Sequence, residues 1–268
     1  MSETIQSCFK RYEKKYLLTP EQYEQMLRGM GSYVTADKYS HYTICNLYYD
    51  TDSYQLIRTS LEKPVYKEKL RMRSYGVQPD TGNVFIEIKK KYEGVVYKRR
   101  EVMDAASAFR YIHGGQKPVR DTQICREIDH FMNTYHPEAK VFIAYDREAW
   151  AGTDIPDLRV TFDTRLRART TDLDLRVSDA GLPILPPEQI LMELKIPGAA
   201  PLWLARLLSE NNIFPVSFSK YGAWYRQTVL GETLPELHRI CRSHTVAFRT
   251  PDARTGELYV PQRRVAFA

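Results

Sequence analysis

Apolar and polar residues alternate with a period of two through most of this chain. Leu70 and Met72 sit between Lys69, Arg71 and Arg73; Ile86 and Ile88 flank Glu87; Val160 and Phe162 lie between Arg159, Thr161 and Asp163; Met192 and Leu194 flank Glu193. Alternation of this kind is the mark of a half-buried strand, with residues i, i+2 and i+4 on one face. It predicts strands at 9–18, 42–50, 66–75, 84–92, 95–102, 141–150, 158–163 and 190–196, with 173–177 a weaker candidate. Gln78-Pro79-Asp80-Thr81-Gly82 is a turn signal that joins two of them as a hairpin.

The period lengthens in five places. Thr19-Pro20-Glu21-Gln22 predicts a helix start, with Thr19 as N-cap, proline in the first turn and Gln22 completing a capping box. Its stripe is Tyr23, Met26, Leu27 and Met30, and Gly29 and Gly31 are read as its end. A helix over 105–112 stops at Gly114-Gly115, and a further one begins at Asp121 or Thr122, carries Ile124, Ile128, Phe131, Met132 and Tyr135, and ends at Pro137. Segments 201–210 and 219–230 are the last two helices. The expected fold is α+β and mainly β: an antiparallel eight-stranded barrel with flanking helices, one domain over 1–249, and a flexible tail over 250–268.

The polar faces of these strands are what separate the chain from an ordinary sheet protein. They repeat Arg and Lys on strand after strand, and the net charge is +6 with a pI of about 9.0. Curled with the charges inside, the sheet becomes a cationic tunnel suited to a polyanion. Lys69, Arg71 and Arg73 are the sharpest group. Lys89 and Lys91 follow on the next strand, and Lys98 and Arg100 on the one after. Like charges opposite one another are destabilising, and a phosphate chain would compensate them. Glu13, Glu87 and Glu193 each precede a lysine by two residues. Simple ion pairing explains them as well as metal binding does. Glu193 is the preferred metal ligand, because its strand is the most apolar and an isolated charge there is costly. Hard cations such as Mg²⁺ or Mn²⁺ need only one or two carboxylates when phosphates and water complete the shell. Lys220 and Ser219 stand at a helix start, where phosphate is favoured.

Other chemistries are excluded by pattern. The six histidines show no metal-ligand spacing, and the four cysteines lie far apart, as in a reduced protein with unpaired thiols. No nucleophile motif or Walker motif occurs. The basic residues are interleaved with glutamate at strand spacing and form no open patch for nucleic acid. With no signal peptide and no membrane span, the expected location is cytoplasmic.

Taken in order, Arg11-Tyr12-Glu13-Lys14-Lys15-Tyr16, Tyr48-Tyr49-Asp50-Thr51, Lys69 to Gly76, Glu87-Ile88-Lys89, Tyr145-Asp146-Arg147, Phe162-Asp163-Thr164, Leu191 to Lys195 and Ser219-Lys220-Tyr221 resemble the VTC domain. That is the polyphosphate polymerase module of the triphosphate tunnel metalloenzymes, relatives of the CYTH domains. The resemblance implies an ATP-dependent phosphotransferase that extends inorganic polyphosphate and releases ADP, with Mn²⁺ or Mg²⁺ as cofactor and phosphate or pyrophosphate as further ligands. By position, Lys15, Arg71, Arg73, Lys89, Lys98, Arg147 and Arg159 would hold triphosphate and chain, with Lys69 and Lys195 beside them. Glu193 would bind the metal, and Lys220 with Ser219 would hold the transferred phosphate. Arg71, Arg73, Lys220 and Glu193 form the expected catalytic set. Arg11 replaces the first glutamate of the E-x-E-x-K opening of the wider superfamily, which favours the polymerase branch. The alternatives are a tripolyphosphate or nucleoside-triphosphate hydrolase, with Glu13 and Glu87 positioning water, and a non-catalytic polyphosphate- or inositol-phosphate-binding module.

Overall fold

All but the weakest of the expected strands form. The computed structural model describes residues 11–233 apart from 94, 119 and 156, so the tail expected over 250–268 lies outside the described residues. The strands are β1 (Arg11–Leu18), β2 (Val34–Asp50), β3 (Tyr66–Tyr75), β4 (Asn83–Tyr92), β5 (Val95–Asp104), β6 (Glu138–Gly152), β7 (Arg159–Arg169), β8 (Leu182–Pro183) and β9 (Ile190–Pro197). Leu173–Val177 is a turn instead. Arg169 donates to the carbonyls of Asp172 and Asp174, and Arg176 clasps the Asp174 carboxylate, which bends the backbone away from a ladder. The short β8 pairs with β7 in its place.

The helices are α1 (Pro20–Met30), α2 (Gln55–Leu61), α3 (Ala105–Gly114), α4 (Gln123–Tyr135), α5 (Leu202–Glu210) and α6 (Lys220–Trp224), the last continued by a π turn over Tyr225–Val229. The capping box at Thr19 and Gln22 is present, and Thr122 caps α4. Gly29 does not end α1. It lies inside the helix, where a Cβ would collide with Leu207 of α5, so its role is close helix packing. Helix α2 had no periodic signal. It is organised by Asp50, whose carboxylate accepts from the backbone N–H groups of Leu56 and Ile57 at 2.8 and 2.9 Å and from the Tyr221 hydroxyl at 2.9 Å.

The sheet is antiparallel in the order β1-β9-β7-β6-β2-β3-β4-β5. It does not close, and the expected barrel is corrected on this point: β1 and β5 are the two ends of the path and do not pair. The outer edge of β1 is already in use, since Val216 donates to the Lys15 carbonyl at 2.7 Å and forms an isolated bridge there. The sheet nonetheless curls. Glu13 and Lys15 on β1 act electrostatically on Lys89 on β4, although five strands separate β1 from β4 along the path. The result is a trough with the charged faces turned inward. Helices α3 and α4 pack on the outer side of β2, β3, β4 and β6, and α1 and α5 on the outer side of β1, β7 and β9. Tyr221 and Trp224 of α6, with Ile57 of α2, fill part of the inner side against Tyr48, Tyr145 and Leu191. Among the described residues, no helix is long and apolar enough to cross a membrane.

Candidate active site

The inward side chains follow from the register. Across one side of the trough, Lys15, Glu193, Thr161 and Ala149 stand opposite one another on β1, β9, β7 and β6, with Leu191, Asp163 and Arg147 forming the next row. Across the other side, Tyr48, Arg71, Glu87 and Arg100 form a row on β2, β3, β4 and β5, and Lys69, Lys89 and Lys98 form another.

The first cluster is built on Asp163, which is fully buried. Arg147 holds it with a two-pronged pair, Nε to Oδ1 at 2.6 Å and Nη2 to Oδ2 at 2.7 Å. Lys220 donates to the same Oδ2 at 2.6 Å, and its Nζ lies 4.1 Å from the centre of the Tyr145 ring. Burial alone would raise the Asp163 pKa, but Lys220 and Arg147 outweigh it and hold the group ionised. Tyr145 is buried too, yet Arg73, Arg147 and Lys220 overcome that burial and bring its hydroxyl down to about 8. Glu193 borders this cluster. Lys195 sits 3.4 Å from its Oε1, and together with Lys15, Arg147 and Lys220 it holds the carboxyl well below its ordinary range despite burial.

The second cluster centres on Glu87. Arg71 grips Oε2 through Nε at 2.8 Å and Nη2 at 2.7 Å, Lys98 sits 2.7 Å from Oε1, and Arg73 lies 3.8 Å away. These cations overcome the burial of Glu87 and lower its pKa to about 2. Arg71 also donates to the Tyr48 hydroxyl at 3.1 Å, and Arg73 to Asn46 at 3.0 Å. Lys98 is pushed down to about 8 by burial, with Glu87 opposing.

Beyond Glu87, cations outnumber carboxylates. Lys69 and Lys89 face each other across the ladder, and neither forms an ion pair among the described residues. Burial first, then Lys67, Lys89, Lys15 and Arg71, push Lys69 down to about 7. Lys89 keeps an exposed surface, and partial desolvation between the strands, with Lys15 and Arg71 nearby, lowers it as well. A surface of this kind is built to receive negative charge, which would restore these lysines to full ionisation.

The remaining expected residues are distributed as follows. Lys15 donates to the Phe218 carbonyl at 3.0 Å and pairs with Glu13 at 3.5 Å. Arg159 and Lys195 are cross-strand neighbours one row along from Glu193. Ser219 uses its hydroxyl to cap α6, accepting from the Gly222 N–H at 3.3 Å. Asp163 and Tyr145 were missed as site residues. The signal for Asp163 was present, since it continues the alternation of Arg159 and Thr161 on one face.

A hard divalent cation fits this face in a limited way. Among the described residues, no three His, Cys, Asp or Glu side chains cluster as a cage. Glu193 offers a carboxylate, and the Thr161 hydroxyl opposite it on the ladder is buried without a hydrogen-bond partner among the described residues. Two protein oxygens suffice where water and phosphate supply the rest.

The VTC domain family model matches residues 10–229. No curated protein matches the sequence. Among solved structures, a protein from Hippeastrum proposed as an adenylyl cyclase, with a dominant triphosphatase activity, is 16% identical over 83% of this chain and 97% of its own, with a TM-score of 0.49. A proposed adenylate cyclase from Bacillus halodurans is 12% identical over 77% and 92%, with a TM-score of 0.48. The mimivirus capping enzyme triphosphatase is 8% identical over 75% and 88%, with a TM-score of 0.32.

Proposed function

This chain belongs to the VTC-domain family of the triphosphate tunnel metalloenzyme superfamily, and from that membership we propose that it cleaves a phosphoanhydride bond of a linear triphosphate, with a divalent cation as cofactor and water as the acceptor. Nucleoside triphosphates and tripolyphosphate are the substrate class. The observation that carries this reading is the excess of inward-facing cations, Lys69 and Lys89 above all, on a trough that also holds the ionised Glu193 carboxylate.

Phosphoryl transfer passes through a loose transition state, so catalysis is mainly positioning and charge stabilisation. Arg147 and Lys220 are suited to this because Asp163 fixes them before substrate arrives. Arg71 keeps guanidinium donors beyond those given to Glu87 and Tyr48, since the group carries five N–H bonds. Glu87 is held by three cations, which leaves Glu13 as the more open inward carboxylate for orienting water. A bound Mg²⁺ or Mn²⁺ would neutralise phosphate oxygens beside Glu193.

The second reading is extension of polyphosphate with ATP as donor. It is supported by the VTC family match and by the Lys67–Arg73 row, whose six-residue rise is about 20 Å and exceeds the length of three phosphates. The open edge between β1 and β5 favours hydrolysis, because an unclosed trough does not confine and guide a product chain outward as a closed bore would.

The test is to incubate the purified protein with ATP and Mn²⁺, with and without pyrophosphate, and to resolve the products. Orthophosphate without chains, lost in Glu193→Gln, supports the hydrolase. Chains appearing with ADP move the assignment to the polymerase. Absence of turnover with tight tripolyphosphate binding overturns both and leaves a binding module.

A further inference from the structure

Thr161 lies in the middle of the trough wall, between Arg159 and Asp163 on the inner face of β7. Its residue is 8% exposed, and its hydroxyl oxygen is buried with no hydrogen-bond partner among the described residues. Buried hydroxyls are ordinarily satisfied, so an orphan calls for an account. Its register partners narrow that account. On one side stands Ala149, whose side chain has no hydrogen-bonding group to offer the hydroxyl. On the other stands Glu193, and directly opposed residues place their Cβ atoms about 4.5–5.5 Å apart.

A hydroxyl beside a carboxylate would normally donate to it. Here Glu193 turns Oε1 toward Lys195 at 3.4 Å and accepts no hydrogen bond from Thr161. The two residues are direct register neighbours, yet hydroxyl and carboxylate are not hydrogen-bonded to each other. A phosphate there would meet the Glu193 charge at close range, whereas a hydrated cation would satisfy both oxygens.

We propose that the Thr161 hydroxyl is the second protein oxygen of the divalent-cation site, holding the cation or one of its waters against Glu193. Thr161 then determines metal affinity, while Arg71, Arg147 and Lys220 determine affinity for the phosphates. This inference rests on the metal-dependent reading given above.

The experiment measures Mn²⁺ binding by the electron paramagnetic resonance of free Mn²⁺, with a non-hydrolysable ATP analogue present. Wild type, Thr161→Val, Thr161→Ser and Glu193→Gln are compared, and binding of metal-free tripolyphosphate is measured in parallel. Thr161→Val should weaken Mn²⁺ about tenfold, Thr161→Ser should restore it, and metal-free tripolyphosphate should bind the wild type and both Thr161 variants equally. Wild-type Mn²⁺ affinity in Thr161→Val, with loss in Glu193→Gln, overturns the proposal and leaves the metal-dependent reading intact. Equal losses of metal and metal-free tripolyphosphate in Thr161→Val also overturn it, by making the hydroxyl a phosphate ligand. Failure of the wild type to bind Mn²⁺ overturns both.

Discussion

Lys220 and Asp163 are joined at 2.6 Å with both side chains almost wholly buried, and Arg147 holds the same carboxylate from its other side. The two ends of this pair are therefore not equivalent. Removing Lys220 leaves Asp163 with a two-pronged partner, but removing Asp163 strands two buried cations. Losing one partner of a buried pair costs about 3–5 kcal/mol, so Asp163→Ala should be strongly destabilised. Lys220→Ala should lose less stability while its turnover falls about 100-fold or more. Denaturant unfolding and steady-state kinetics on both variants check this. Wild-type turnover in Lys220→Ala would remove that residue from the site.

Glu87 offers the opposite experiment. It neutralises Arg71 and Lys98 in the ligand-free protein and occupies donors that a phosphate could use. Glu87→Gln should lower ligand-free stability and tighten tripolyphosphate binding, because the trough gains one net positive charge. Ligand at 100 times its Kd should then recover about 2.7 kcal/mol. Calorimetric titration and thermal melting read the two effects separately. Weaker binding in Glu87→Gln would mean that the carboxylate orders Arg71 for the ligand instead of competing with it.

Much of this arrangement was legible in the chain. Alternation placed Lys69, Arg71 and Arg73 on one face because a strand has a period of two whatever the tertiary structure does. The capping box at Thr19 was legible for the same reason, being local chemistry. Closure was not. Closure rests on contacts remote in sequence, such as the single bridge by which Val216 takes the β1 edge at Lys15, and no local period records these. Helix α2 was hidden because the Asp50 carboxylate caps its first turn across a loop, without a periodic stripe. The pairing of Asp163 with Lys220 joins residues far apart in the chain, and spacing carries no information about such a contact.

Lys69 should make polyphosphate binding depend on pH. In the free protein its pKa is lowered to about 7 by burial and neighbouring cations. A bound polyphosphate favours the charged ammonium and raises that value. Above pH 7 binding must therefore take up a proton, and affinity falls as pH rises. Lys98 and Tyr145, both near 8, add to the uptake. The ligand-free fold behaves in the opposite sense: the unfolded lysine stays protonated to its ordinary 10.5, so the Lys69 contribution to stability improves from pH 7 toward that value. Titration with tripolyphosphate at pH 8 in two buffers of different ionisation enthalpy should show uptake, reduced but not abolished in Lys69→Met. Equal uptake in that variant would show that Lys69 does not titrate with binding.

Thr161 should reveal its role through stability as well as through metal. A buried hydroxyl without a partner costs about 1–3 kcal/mol of desolvation, and valine has the same shape without the polar atom. Thr161→Val should therefore melt at a higher temperature than the wild type when no metal is present. Mn²⁺ with tripolyphosphate should narrow or reverse that difference, because only the wild type gains a partner for the hydroxyl when ligand binds. Paired melting curves with and without ligand decide the matter. If Thr161→Val is the less stable protein in both conditions, the hydroxyl already has a structural partner and is not held in reserve for a cation.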